Sequence, residues 1–116
     1  MTENMQKERR KFIRLDTTID IKYKILKMGK KGEAVSKDIS GEGIGLSVSE
    51  EIPTASVLLL EMKIPVYPES ITAKGIVVWS KKSESEIKKF EIGVKFIKIN
   101  PIVKTRIFKY IYEHIY

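Results

Sequence analysis

Three residue groups in this chain are of types and spacings that could do chemistry. The protein uses eighteen lysines but four arginines, and three of those four, Arg9, Arg10 and Arg14, fall within six residues. Lysine suffices where only solubility is needed. A guanidinium adds a planar fork that grips phosphate with two hydrogen bonds and a face that stacks on flat rings. An arginine cluster in a lysine-rich chain therefore reads as a clamp for something anionic and planar, set against its plainer reading as a solvated basic tail. The second group is Asp38-Ile39-Ser40-Gly41-Glu42-Gly43. Its plain reading is a turn, because Asp and Ser bond their own backbone and Gly accepts positive φ. The third is Trp79, the sole tryptophan, which reads either as a core or barrel-end aromatic or as a surface on which a flat base stacks.

Other chemistries find few residues. There is no cysteine and a single histidine, His114, so no thiolate metal site, no cysteine nucleophile and no Ser–His constellation suggests itself. Asp38 and Ser40 have no evident general base beside them, so an enzyme is the weakest reading, and neither metal nor cofactor is expected.

The net charge of +7 is unevenly spread. Residues 1–31 carry ten basic side chains against four acidic ones, whereas residues 32–116 are nearly balanced. At 116 residues, with 42% apolar and 32% charged side chains, one small folded domain is expected. No run approaches the roughly 18 apolar residues of a membrane span. Residues 1–10 hold no apolar stretch of the kind a secretory signal needs. With no cysteine, the expected location is the cytoplasm. Residues 1–7 are expected to form a flexible N-terminal tail, and residues 8–116 a single domain.

The elements that must position these groups follow from periodicity. Ile19, Ile21, Tyr23 and Ile25 alternate with polar residues and predict a first strand. The arginine segment then lies in a stretch before that strand. Further strands are expected over 33–37, 44–48, 57–64 and 71–80, with Gly75 marking a bulge, and over Phe90, Ile92, Val94 and Phe96. Asn100-Pro101 is a helix start, a capping side chain followed by a first-turn proline. Val103, Ile107, Tyr110, Ile111 and His114 then share one helix side. Six short, turn-separated strands and one terminal helix predict a mainly β fold, a small antiparallel barrel with its helix packed against it. His114 is expected at the surface or partly packed, and Tyr110, Tyr112 and Tyr116 in helix packing.

Arg10 and Arg14 four residues apart, followed by Asp38-x-Ser40-x-x-Gly43 at a strand edge, resemble the PilZ domain family. Its motifs R-x-x-x-R and [D/N]-x-S-x-x-G form a binding site for the bacterial second messenger cyclic diguanylate. Ile76-Val77-Val78-Trp79 and Ile92-Gly93-Val94-Lys95-Phe96 are similar to the late strands of such domains, and the resemblance covers roughly residues 8–115. It implies a six-stranded split barrel with a C-terminal helix, and a receptor with no catalytic activity that signals through a protein partner. Guanine presents O6 and N7 to an arginine fork. Arg10 and Arg14 are thus expected at a guanine edge and a phosphate. Asp38 accepts from guanine N1–H and N2–H₂. Ser40 bonds a guanine or phosphate oxygen, and Gly43 keeps the turn tight and lets the ligand approach the backbone. The resemblance makes Arg9 a sign of an intercalated ligand dimer, hence two ligands per chain. Trp79 is a candidate stacking surface, whereas Gly75 and Gly93 read as sheet features. The arginine segment is expected to order on ligand binding. Two other readings stand beside this one. One is a nucleic-acid-binding β-barrel, which the basic patch suits but the lack of interleaved exposed aromatics does not. The other is a PilZ-like scaffold that binds no ligand and acts by protein contact.

Overall fold

Inward alternation builds the barrel strand by strand in the computed structural model, which describes residues 13–65 and 67–115. The strands are β1 (Arg14–Asp16), β2 (Asp20–Ile25), β3 (Lys30–Ser40), β4 (Gly43–Val48), β5 (Val57–Met62), β6 (Ile71–Lys82) and β7 (Phe90–Ile99), followed by helix α1 (Pro101–Ile115). Ile21, Tyr23 and Ile25 of β2, Leu58, Leu60 and Met62 of β5, and Ile92, Val94 and Phe96 of β7 point inward and are buried. Their polar neighbours face out, as a sheet with one buried face requires. The hydrogen-bonded order is β1-β3-β2-β5-β6-β7-β4, every pairing antiparallel, and a further β3–β4 pairing closes six of the strands into a barrel. Closure leaves those six without a free edge.

The helix begins as expected. Asn100 Oδ1 accepts the Ile102 N–H at 2.8 Å, satisfying one of the donors a helix N-terminus leaves over. Ile107, Tyr110 and Ile111 are buried on the side that packs against β1 and β3, and the Thr17 and Tyr110 hydroxyls hydrogen-bond at 2.8 Å. Tyr112 is half exposed, and exposed His114 lies with its ring against Tyr110 and its Nδ1 2.8 Å from the Tyr110 carbonyl. Tyr116 and the N-terminal tail lie outside the described residues. No helix among the described residues is long and apolar enough to cross a membrane.

Two elements differ from the sequence expectation. Arg14 does not lie in a stretch ahead of the sheet: it opens β1, a seventh strand outside the barrel, in which Arg14 pairs with Ser40, Leu15 with Ile39 and Asp16 with Asp38. Three residues with one apolar member carry no period that a pattern search can find. The second difference is the length of β3, which runs eleven residues and contains Asp38 and Ser40, two residues whose types place them in the turn. Gly43 opens β4, so the connection is only Gly41-Glu42. Main-chain pairing with β1 and β4 carries both residues into the strand.

Candidate functional site

Strict alternation would send both Asp38 and Trp79 into the barrel. In β3, Ser36 and Ile39 are both buried although three residues apart, which a period of two forbids. A register shift between Ser36 and Asp38 in the pairing with β4 resolves this, and it leaves Lys37 and Asp38 both outside. In β6, Val77 is buried, whereas Val78 and Trp79 are both about half exposed, again across a register shift. A bulge inserts one residue and so re-aims the side chains beyond it. Two bulges thus bring Asp38 and Trp79 to the same outer face, as the end members of one cross-strand row: Asp38 with Gly45, Gly45 with Gly93, and Gly93 with Trp79.

The two middle members of that row have no side chains, and the end members lie over them. A methyl on Gly45 would sit 2.7 Å from Asp38 Oδ1, and one on Gly93 would overlap the Trp79 indole at Nε1 and Cε2. An isolated glycine within an alternating strand is the sequence signal for such close approach. It stands in the sequence at Ile44-Gly45-Leu46 and Ile92-Gly93-Val94. The indole is therefore a flat plate pinned on β7, 44% exposed, not the core aromatic that its apolar neighbours suggest. Lys81 Nζ stands 5.8 Å from its ring centroid, at the edge of cation–π range.

At the opposite end of the row, Asp38 Oδ1 accepts the Gly45 N–H at 3.1 Å. Asp38 Oδ2 lies 3.6 Å from Arg14 Nη1, an ion pair without a tight hydrogen bond. Ser40 Oγ accepts the N–H groups of Glu42 and Gly43, both at 3.2 Å, and directs its own proton toward the Gly43 carbonyl at a long 3.4 Å. Ser40 therefore holds the connection, as a turn serine does, while its donor bond is the weakest of the three. Gly43 carries a further constraint: a side chain there would overlap the Val94 carbonyl and stand 3.2 Å from the Lys95 Cα. Its φ is not positive. Close approach to β7 is what requires glycine at position 43, and it brings the Gly41-Glu42 connection against that strand, where Phe96 N–H donates to the Glu42 carbonyl at 2.8 Å.

Arg14, Asp38, Ser40, Gly43 and Trp79 all line one cavity of about 200 Å³ on this face, together with Glu42, Gly45, Gly93 and Lys95. The last four carry no site role in the sequence reading. Arg9 and Arg10 lie outside the described residues. Just beyond the row, Glu91 accepts from Lys37 Nζ at 2.6 Å and stands 4.0 Å from Lys81. The Lys37 hydrogen bond holds the Glu91 carboxyl below the usual glutamate range and holds the Lys37 ammonium above its usual value. Glu91 thus holds Lys37 beside the cavity, with Lys81 at the outer limit of ion-pair distance. Trp79 is the exposed aromatic of the described strands, so this face presents a single plate and not the run of stacking rings that tracks a nucleic-acid strand.

The PilZ domain family model matches residues 8–113. No curated protein sequence matches the chain. Among solved structures, the Bacillus subtilis inhibitor of motility superposes with a TM-score of 0.78 at 16% identity, over 90% of this chain and 50% of that one. YcgR from Escherichia coli in complex with c-di-GMP gives 0.73 at 14% identity, over 91% and 46%. The isolated PilZ domain of YcgR with c-di-GMP gives 0.69 at 12% identity, over 90% of each chain. The chain spans about half the length of the first two and nearly all of the isolated domain. Likenesses at these identities carry the fold, and the match over 8–113 carries the lineage: this chain belongs to the PilZ domain family.

Proposed function

We propose that this chain is a receptor for cyclic diguanylate, with Arg9, Arg10, Arg14, Asp38, Ser40, Gly43 and Trp79 as its binding residues. The observation that carries the reading is the convergence, across two bulges, of Arg14, Asp38, Ser40 and Trp79 on one cavity. YcgR, a structural relative, has been solved with c-di-GMP. Each group suits a part of that ligand. The indole offers a stacking face for one guanine. Asp38 Oδ2, loosely paired with Arg14, accepts from guanine N1–H and N2–H₂. The Arg14 fork turns to O6 and N7 or to a phosphodiester. A cavity of about 200 Å³ is below the roughly 300 Å³ at which drug-sized pockets begin. It suits one base with its phosphate, and Arg9 and Arg10 are assigned to the rest of the ligand. Arg9 supplies the extra cation that an intercalated ligand dimer, with four phosphate charges, requires, hence two ligands per chain.

Binding orders the N-terminal arginine segment that leads into β1, creating a surface that a protein partner reads. The chain acts as an adaptor without catalysis, in the cytoplasm. Calorimetric titration with cyclic diguanylate tests the reading. The expected result is saturable binding at two ligands per chain, greatly weakened in Arg10→Ala, Arg14→Ala and Asp38→Ala while the far-ultraviolet spectrum stays that of a folded barrel. Wild-type affinity in Arg14→Ala overturns the site, and saturation at one ligand overturns the dimer.

A further inference from the structure

Two of the residues lining the cavity form a second ion pair at its lip. Lys95 Nζ lies 3.9 Å from Glu42 Oε1, on the far side of Ser40 and Gly43 from the Arg14–Asp38 pair. The backbone builds this contact. Gly43 pairs with Lys95, the lack of a side chain at 43 lets β4 lie close on β7, and the Phe96 N–H bond to the Glu42 carbonyl ties the connection down. Both side chains remain about half exposed, 56% for Lys95 and 48% for Glu42. At 3.9 Å and that exposure the pair is worth little to the fold. What it does is place a carboxylate at the mouth of a cavity whose other cation, Arg14, is also matched by a carboxylate.

On the reading of this face as a cyclic diguanylate site, we infer that Lys95 is a phosphodiester-contacting residue and that Glu42 sets how much negative charge the site admits. A phosphodiester oxygen approaching Lys95 displaces Glu42 as its partner. Glu42 then stands beside the ligand as a like charge, and its repulsion grows with every charge the ligand carries. A cyclic dinucleotide brings one charge per phosphate. The ring-opened linear form with a terminal phosphate keeps one diester and adds a phosphomonoester of nearly two charges. Glu42 therefore counts against the opened ring, opposing the attraction of Lys95, which grows with the same charge.

The test is a set of titrations of the full chain with cyclic diguanylate and with its linear, 5′-phosphorylated form, using wild type, Glu42→Gln, Lys95→Met, the double variant and Asp38→Ala. Lys95→Met is expected to weaken the cyclic ligand about fivefold, the size of one exposed ion pair. Glu42→Gln is expected to tighten both ligands, the linear one by a factor about threefold larger, so that the preference for the ring shrinks. In the double variant the gain from Glu42→Gln persists for the linear form, because the repulsion is direct. Unchanged preference in Glu42→Gln together with wild-type affinity in Lys95→Met overturns the inference, provided wild type binds and Asp38→Ala does not. If the wild type itself does not bind, the receptor reading fails and this one with it, and the two failures are told apart by that titration alone.

Discussion

Gly93→Ala separates the indole plate from the rest of the site. A methyl at 93 would overlap Trp79 Nε1 and Cε2 and lie 2.7 Å from Cδ1, roughly 1 Å inside ordinary carbon contact. Something must move, and the β7 backbone is held on both sides by β4 and β6. The indole is 44% exposed and can swing into solvent. The stability cost therefore falls at the low end of overpacking, about 1 kcal/mol. If one guanine stacks on that ring, the loss of the plate costs the ligand about 1–3 kcal/mol, a fall in affinity of roughly fivefold to 150-fold. The assay is calorimetry alongside tryptophan emission, which here reports one residue because Trp79 is the sole tryptophan. Emission of Gly93→Ala without ligand should move toward that of solvated indole. In a Trp79→Ala background, Gly93→Ala should cause no further loss of affinity, because the two changes act through one contact. Wild-type affinity with unchanged emission in Gly93→Ala would refute both the pinned plate and its role.

Other outcomes rest on contacts away from the cavity. Ser36 is buried, and its Oγ accepts the Ile19 N–H at 2.8 Å while donating to the Thr17 carbonyl at 2.6 Å. Ser36→Ala orphans both main-chain groups and should cost about 1–3 kcal/mol in urea unfolding; an unchanged midpoint would show that water replaces the hydroxyl. Ala55 holds φ at 71°, a conformation costing an L-residue about 1–2 kcal/mol. That outweighs the roughly 0.5–1 kcal/mol flexibility penalty of glycine, so Ala55→Gly should raise the thermal midpoint by a few degrees, and a lowered one would contradict the argument. Glu50 accepts from Tyr23 Oη at 2.5 Å and pairs with Lys30. The Lys30 contact first, then the Tyr23 hydrogen bond, hold its carboxyl below the usual range. A carboxyl lowered in the folded state stabilises above the unfolded value of about 4.3 and loses that contribution as pH falls through and below it. Glu50→Gln should therefore flatten part of the fall in urea midpoint between about pH 5 and about pH 3, and an identical fall in wild type and variant would refute the assignment.

Much of the fold was written in the sequence wherever a strand alternates without interruption. Ile19 to Ile25, Val57 to Ile64 and Phe90 to Phe96 each declare which face is buried, and Asn100-Pro101 declares the helix start. Gly75 was expected to mark a bulge; the pairing with β7 does shift register between Lys74 and Gly75, but the extra residue is Ile97 of β7, and β6 alternates straight through Gly75. What stayed hidden depends on partners distant in sequence. β1 has no pattern of its own and exists because the end of β3 offers it a ladder. Half of β3 was hidden for the converse reason. Asp38 and Ser40 are turn formers in isolation, and long-range pairing with β1 and β4 overrides that preference.

The site was harder to read than the barrel because it stands where the period of two breaks. Asp38 and Trp79 would each point inward under uninterrupted alternation, and a reading that applies that rule to Ile76-Val77-Val78-Trp79 assigns the tryptophan to the core. The residues that reverse the assignment are Lys37 and Val78, which are unremarkable in type and act only by being one residue too many. Ser40 makes the same point from the other side. Its turn reading and its ligand reading compete in the sequence, yet in the structure one hydroxyl accepts two main-chain donors and keeps its proton on a 3.4 Å contact. Building the connection uses the acceptor capacity of that oxygen, and binding a phosphate or guanine oxygen would use its donor. The two roles therefore draw on different halves of the same group, and Ser40→Ala should disturb both. Ser40→Cys keeps only a weak donor and acceptor of larger radius. It separates nothing, so the informative comparison is Ser40→Thr, which preserves both halves and should retain binding if the added methyl points to solvent.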